Sequence, residues 1–479
     1  MEYVIKGREP ASVFRFFEEI SAIPRPSYRE ERIADYLERF AKERGLECYR
    51  DAVHNVLIKA PATKGLEDRA PILFQGHTDM VCEKNTDVVH DFLNDPIRPW
   101  VDGDLLRAKG TTLGADNGIA VAIMLALLDG LVAEHPAYEC LFTTAEEVGL
   151  DGANAFDYTR ISARRMVNLD SEELGVVTCG CAGGVRSDLT LCYTPEDFAG
   201  EALRISIGGL MGGHSGANIH CGRANANKLM GRLLATLMRE CDLRVVSMEG
   251  GSKDNAIPRE CMAVIAVPNA EAASTVLTET AAAIAAELVQ EDAGFTLTVE
   301  DTDAPVTMLS KADTARVCAL VAGASNGVLA MSREVASLVE YSRNLGVIRT
   351  EGDAMTFVFS SRSSMEGRLD ASIAEMDAWA AMLGCQAKHH GRYPGWAFAS
   401  KSPLREAYLK AYRAVTGKDA EVNTIHAGLE CGIIYSNLPD MDIISIGPTL
   451  FDIHSPAEAM SLTDAEIFCK TLMRLIESL

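Results

Sequence analysis

The 479-residue sequence predicts an α/β protein: a mostly parallel sheet with helices on both faces, interrupted by an inserted α+β domain. Two observations predict it. Short apolar runs alternate with helix-period stretches in the first third of the chain, and several of those runs end in His or a carboxylate. After Gly183-Gly184 the pattern changes to half-buried alternating strands, and the first style returns only near the C-terminus.

From Ala11 to Arg44 apolar residues recur at helical spacing, broken once by the Pro24-Arg25-Pro26 turn. Strands are expected at Asn55–Ala60 and Pro71–Gln75, a helix from Asp116 to Leu128, and strands at Tyr138–Ala145 and Met166–Asp170. The insertion opens with strands at Arg186–Leu191 and Ala202–Ile207 and a helix at Asn225–Arg239. Strands at Leu243–Met248 and Met262–Val267 follow, then a long Ala-rich helix, Ala270–Glu291, and a strand at Phe295–Glu300. A looser copy comes next: a helix at Ala312–Ala324, strands around Ser337–Ile348 and Met355–Ser361, a helix at Ala371–Leu383 and a strand near Cys385–His389. The insertion is thus expected to hold two related halves. The last segment offers a helix at Leu404–Thr416, a strand at Ile443–Ile446 and a closing helix at Ala465–Ser478. The expected domains are 1–183 with 396–479, and the inserted 184–395.

Charge and cysteine usage narrow the function. A formal net charge of −23 works against nucleic acid or an anionic membrane, both of which select clustered Lys and Arg. No basic patch followed by an apolar stretch opens the chain, and the longest apolar run, Ile119 to Leu128, is too short to span a bilayer. Thirteen dispersed cysteines read as reduced thiols of a cytoplasmic protein. The nearest approach to a motif, Cys179 and Cys181, lies in an expected Gly-rich turn and lacks a second pair for zinc.

Five segments place His and carboxylates where expected strands end: Gly76-His77-Thr78-Asp79, Gly114-Ala115-Asp116-Asn117-Gly118, Ala145-Glu146-Glu147-Val148-Gly149, Asn168-Leu169-Asp170-Ser171 and Asp452-Ile453-His454-Ser455-Pro456. In open α/β sheets, ligand sites lie beyond the carboxyl ends of the strands. Imidazole and carboxylate donors without thiolate suit Zn, Mn or Co. Five ligands exceed one tetrahedral site but fit two ions if a carboxylate bridges them.

These segments resemble the M20 family of co-catalytic zinc peptidases. Gly76-His77-Thr78-Asp79-Met80-Val81-Cys82-Glu83-Lys84-Asn85 is similar to its aminoacyl-histidine dipeptidase branch. Asp116-Asn117-Gly118-Ile119, Gly212-Gly213-His214-Ser215-Gly216, Asn225-Ala226-Asn227-Lys228 and His426-Ala427-Gly428-Leu429-Glu430-Cys431-Gly432 extend the match in the family's order. The resemblance implies two Zn²⁺ per chain, replaceable by Co²⁺ or Mn²⁺. His77 and Asp170 would bind one, Glu147 and His454 the other, and Asp116 would bridge. Asp79 would orient His77, Glu146 would be the general base, and the Asp116–Asn117 peptide would be cis.

The inserted domain resembles the family's lid, in which His214 would stabilise the oxyanion; the alternative is that it satisfies its own loop. Arg362 is a candidate for the substrate carboxylate, with an exposed strand-end arginine as the alternative. Asn255 is a candidate substrate contact, and His426 and Glu430 candidates for the substrate's amino terminus. His54, His90, His135, His220, His389 and His390 lack a metal-like neighbourhood. The resemblance implies hydrolysis of unblocked dipeptides of the Xaa-His type, and Asp rather than Glu at position 170 favours substrates with a free amino terminus. Tripeptidase, carboxypeptidase, N-acyl amino acid deacylase and a non-catalytic peptide-binding relative remain the alternatives. A homodimer is the candidate assembly.

Overall fold

Four parallel strands form the centre of a sheet, and His77 ends one of them. The computed structural model describes residues 3–303, 307–333, 335 and 338–479; Ser337, where a strand is expected to begin, lies outside them. The chain divides into two compact units. One is Met1–Cys181 with Trp396–Thr424 and Leu429–Leu479; the other is Ala182–Gly395 with Ile425–Gly428.

In the first unit an eight-stranded sheet runs in the order Glu47–Arg50, Val56–Ala60, Tyr138–Thr143, Ile72–His77, Arg165–Asn168, Asp442–Ser445, Val176–Cys181 and Glu421–Ile425. Its centre, from Tyr138–Thr143 to Asp442–Ser445, is parallel, and antiparallel strands flank it. Ile72–His77 and Tyr138–Thr143 are buried along their whole length, as a parallel sheet covered on both faces requires. The helix Ala115–Leu128 is apolar all round and buried from Asn117 onwards. It packs between the helix Ala11–Ser21 and the strand Ile72–His77. Its first turn is irregular: Asp116 and Asn117 have non-helical dihedrals, and the peptide between them is cis.

Two features of this unit escape the sequence pattern. Cys179 and Cys181 lie on the strand Val176–Cys181 rather than in a turn, and all thirteen cysteines are free. A small sheet of strands two to four residues long, Leu450–Phe451, Ala459–Ser461, Leu105–Ala108 and Pro99–Asp102, supports the loop that carries His454. Strands this short show no periodicity to read.

Besides a separate two-stranded sheet of Gly213–His214 and Ala256–Ile257, the second unit is built on a nine-stranded one. Its path runs Thr296–Thr302, Glu201–Gly208, Cys261–Val267, Arg244–Gly250, Val339–Glu351, Ala354–Ser363, Gly183–Cys192 and Gln386–Tyr393, with Gly327–Met331 added beside Val339–Glu351. The path reads the same from either end. An inner module of strand, helix, two strands, helix, strand spans Glu201–Gly208 to Thr296–Thr302. An outer module repeats that order, but takes its first strand, Gly183–Cys192, from before the inner one. Its helices are Lys311–Gly323 and Glu366–Leu383. The modules meet antiparallel through Arg244–Gly250 and Val339–Glu351, where only Gly250 and Ile348 stand in register. One apolar core, with Leu189, Ile205, Leu233, Val317, Phe357 and Met376 among its members, runs beneath both.

The repeat expected from sequence therefore exists, but as a nested pair in which the strand at Gly183–Cys192 belongs to the later half. The Ala-rich helix is shorter than expected and ends at Ala285, because a run of alanines carries no stop signal of its own. Asn225 caps the helix Ala226–Glu240 by accepting from the Lys228 N–H, which accounts for part of the Asn225-Ala226-Asn227-Lys228 motif.

Candidate metal centre and substrate-binding cluster

The register His77↔Thr143 sets the end of the central sheet, and Glu146 and Glu147 follow within one turn. Asp170 lies just past the strand Arg165–Asn168, and His454 arrives on the loop after Leu450–Phe451. Ala145, Asp452 and His454 have φ of 49°, 49° and 60°. Such left-handed residues cost about 1–3 kcal/mol each outside glycine and cluster where geometry is dictated by function.

The side chains converge on Asp116. His77 Nε2 lies 3.1 Å from Asp116 Oδ1 and 3.6 Å from Asp170 Oδ1. His454 Nε2 lies 3.1 Å from Asp116 Oδ2 and 3.0 Å from Glu147 Oε2. Each carboxylate oxygen of Asp116 thus serves a different imidazole–carboxylate set. Both sets keep their donor atoms within 4.8 Å of one another, and His77 with Glu146 and Glu147 forms a third such group. Glu147 Oε1 is buried without a hydrogen-bond partner, a donor that a cation would satisfy. The nitrogen and oxygen donors, the shared carboxylate and the orphaned Oε1 all fit divalent metal.

As side chains alone, the cluster balances its charge by protonation. Burial pulls the His77 pKa down, but Asp170, Asp116 and Asp79 outweigh it and hold the imidazolium well above its ordinary range. Hydrogen bonds that His454 donates to Asp116 and Glu147 raise its pKa to about 10. Burial lifts Asp170 well above the usual carboxylate range. The same cause, with the charges of Glu430, Glu147 and Asp116 added, lifts Glu146 to about 8 against the pull of His77.

Asp79 holds the parts together. It lies 3.3 Å from His77 Nδ1, accepts from the backbone N–H groups of Glu146 and Glu147, and takes the Ser27 hydroxyl. One carboxylate therefore fixes the His77 tautomer and the loop carrying both glutamates. Glu430 departs from expectation. It is fully buried rather than on an open loop; its Oε2 accepts from Gln75 Nε2 and Thr143 Oγ1, while its Oε1 has no hydrogen-bond partner.

The second unit gathers the other expected residues. His214 Nδ1 accepts from the N–H groups of Gly216 and Ala217, at 3.3 and 3.0 Å. One nitrogen thus satisfies its own loop, which leaves the proton on Nε2 as a donor. Burial and the nearby Arg362 lower its pKa, keeping it neutral. The Asn255 carbonyl accepts from Ser215 N and ties its segment to this loop.

Arg362 is not an exposed strand-end residue; it is 7% exposed. Its Nη1 donates to Tyr393 Oη at 2.7 Å, while its Nε is buried without a partner. Glycines crowd the Tyr393 ring: a Cβ on Gly184 would lie 2.7 Å from it, and one on Gly428 2.8 Å. His426 is buried beside the same guanidinium, with Nε2 2.7 Å from Ser342 Oγ. Burial first, then Arg362, lowers its pKa to about 3. A half-satisfied guanidinium among neutral imidazoles suits a carboxylate. Of the remaining histidines, His135 stacks on Tyr138, and His389 and His390 pair with Asp377 and Asp188.

Fold and site together define a metal-dependent peptidase. The model of a peptidase dimerisation domain matches residues 205–292, and that of peptidase family M28 matches residues 55–175. The cytosol non-specific dipeptidase of Escherichia coli (strain K12) is 37% identical over 476 residues, 98% of each chain. The crystal structure of aminoacylhistidine dipeptidase from Vibrio alginolyticus superposes with a TM-score of 0.94 at 38% identity, covering 99% of this chain and 97% of that one. A tripeptidase from Staphylococcus aureus shares the fold alone, at a TM-score of 0.55 and 14% identity over 98% of both chains. The chain belongs to the M20 family of metallopeptidases.

Arg25 and Glu458, both buried around the Asp116 turn, escape sequence reasoning. The one available signal is that Glu458 follows His454 by a single helical turn's length, which reads equally well as a surface acid.

Proposed function

We propose that this protein is a dipeptidase acting on unblocked dipeptides, Xaa-His among them, through two divalent cations, Zn²⁺ in the first instance. The observation that carries the reading is Asp116, which offers one oxygen to His77 with Asp170 and the other to His454 with Glu147. The full-length similarity to two dipeptidases supports it.

Such a metal pair, when bound, supplies Lewis-acid polarisation of the scissile carbonyl and a water acidified to a pKa of about 7. The chain's own residues do the rest. Glu146 takes the proton of the attacking water and returns it to the leaving amine. Asp79 holds His77 in the ligating tautomer. His214 contributes Nε2–H to the developing oxyanion, a donor worth about 2.7–4 kcal/mol in comparable sites. Arg362 receives the substrate's terminal carboxylate; His426, expected at the amino terminus, lies beside that guanidinium instead, and Asn255 remains a candidate substrate contact. A free amino terminus is expected of the substrate, as the family resemblance implies for Asp at position 170.

Among the described residues no helix is long and apolar enough to cross a membrane. We place the protein in the cytoplasm, away from nucleic acid and membrane, on its free thiols and acidic charge, and expect a homodimer. A panel of free, N-acylated and longer peptides, each with and without chelator, tests the reading. Chelator-sensitive cleavage of free dipeptides is expected; faster cleavage of N-acyl amino acids would move the activity to deacylation.

A further inference from the structure

Two buried charged side chains that no catalytic step uses meet at the turn carrying Asp116. Arg25, from the Pro24-Arg25-Pro26 turn, is 2% exposed. Its Nη1 donates to the carbonyls of Thr78 and Asp79 at 2.9 and 3.0 Å, and its Nη2 to the carbonyl of Gly114. It therefore joins the end of the His77 strand to the start of the Asp116 turn. Glu458 is likewise 2% exposed. Its Oε2 accepts from Leu113 N and Gly114 N at 2.7 and 3.0 Å, and its Oε1 from Ala115 N and Asp116 N at 2.8 and 3.2 Å. Four successive N–H groups are gathered by one carboxylate, and it belongs to the segment that also carries His454.

The glycines of Gly114-Ala115-Asp116-Asn117-Gly118 follow from this. A Cβ on Gly114 would stand 2.6 Å from Arg25 Nη2, and one on Gly118 2.7 Å from the same atom. The turn is wrapped around the guanidinium so closely that neither flank of Asp116–Asn117 admits a side chain. Asn117 is fixed from the other direction, through Nδ2 donating to the Leu169 carbonyl, one residue before Asp170.

We propose that Arg25 and Glu458 are positioning residues of the metal centre, clamping the Leu113–Asp116 turn by its carbonyl and its N–H groups so that Asp116 faces both histidines. The proposal rests on the reading of this cluster as a metal centre. Neither residue ligates. Each acts through backbone: Arg25 sets the spacing of His77 to Asp116, and Glu458 that of His454 to Asp116. Lys in place of Arg25 cannot span three carbonyls in a plane. Gln in place of Glu458 turns an amide donor towards two N–H donors.

The test is metal affinity, measured by competition with a chromophoric chelator on the full chain, and the visible spectrum of the Co²⁺ form. Arg25→Lys and Glu458→Gln are each expected to weaken binding by about 10–100-fold, as loss of a ligand's support does, and to change the Co²⁺ bands. Arg343→Lys serves as control. Arg343 is fully buried in the second unit, bonded to Glu375, Ser325, Ser361, Ser372 and Tyr341. That variant is expected to lower the melting temperature while leaving metal affinity and spectrum unchanged. Glu458→Asp, which keeps the charge, is read alongside should Glu458→Gln fail to fold. Folded Arg25 and Glu458 variants with unaltered affinity and spectrum would overturn the proposal, as would an equal loss in the Arg343 control. Absence of divalent-metal binding by the unsubstituted chain would instead overturn the reading of the cluster itself.

Discussion

At the scale of single residues, the proposed function gives Glu146 and its neighbour Glu147 separate duties. Glu147 lies against His454, whereas Glu146 makes no hydrogen bond to either imidazole and is lifted to about 8 by burial. Glu146→Gln is expected to keep its metal, as elemental analysis would show, while turnover falls by about 10²–10⁴-fold. Asp170→Ala should lose metal and activity together. Arg362 offers a second contrast, because its partner is chosen by charge. Arg362→Ala is expected to raise KM for free dipeptides by about 10–100-fold, the worth of a charge-assisted hydrogen bond, and to leave dipeptide amides unaffected. Equal losses on both substrates would mean that it does not meet the carboxylate.

His426 gives the pH dependence a sign. Its folded pKa is lowered to about 3 from an ordinary 6.5, so the unfolded chain takes the proton first. Its contribution to stability is complete above about 6.5 and is lost as pH falls towards 3. Denaturant unfolding between pH 7 and 4 should show a shallower decline for His426→Gln than for the unsubstituted chain.

At the scale of elements, the strands Ile72–His77 and Arg165–Asn168 and the helix Ala115–Leu128 were legible because each joins a strong apolar pattern to a polar end. The same segments bring His77, Asp116 and Asp170 towards one end of the sheet by pattern alone. Arg25 and Glu458 were not legible, because burial of a charge is a tertiary fact that no local pattern announces. The burial of Glu430 was hidden for the same reason: its Gly-bounded neighbourhood reads as an open loop, yet the residue begins the helix Glu430–Asn437 in the interior. The tight fit of strand to helix is itself testable. A Cβ on Gly76 would lie 2.4 Å from Asn117 Oδ1 and 2.6 Å from Ala120 Cβ. Gly76→Ala is expected to cost about 1–3 kcal/mol in denaturant unfolding, the range for overpacked cores.

At the scale of the whole molecule, bound metal should act as a staple as well as a reagent. The expected ligands come from His77 through His454, so ions held there stabilise the fold by the linkage of binding to unfolding. Exhaustive chelation is expected to lower the melting temperature, and Zn²⁺, Co²⁺ or Mn²⁺ to restore both it and activity. Calorimetric scans with metal returned in steps would follow the recovery. Mixed oligomers of His214→Ala and Glu146→Gln chains address the lid: with His214 serving its own chain they remain inactive, and recovered activity would show exchange between subunits.

The nested order of the second unit also dictates an order of events during synthesis. The strand Gly183–Cys192 emerges before the entire inner module, yet its partners Ala354–Ser363 and Gln386–Tyr393 are made after it. It must wait unpaired while roughly a hundred residues close on themselves, and contacts so distant in sequence form slowly. The inner module, contiguous from Glu201–Gly208 to Thr296–Thr302, has no such delay. Pulse-labelled hydrogen exchange during refolding should therefore protect the inner strands first and Gly183–Cys192 last. An edge left open for that interval is the segment from which a crowded nascent chain would misassemble, and a chaperone would most profitably cover it.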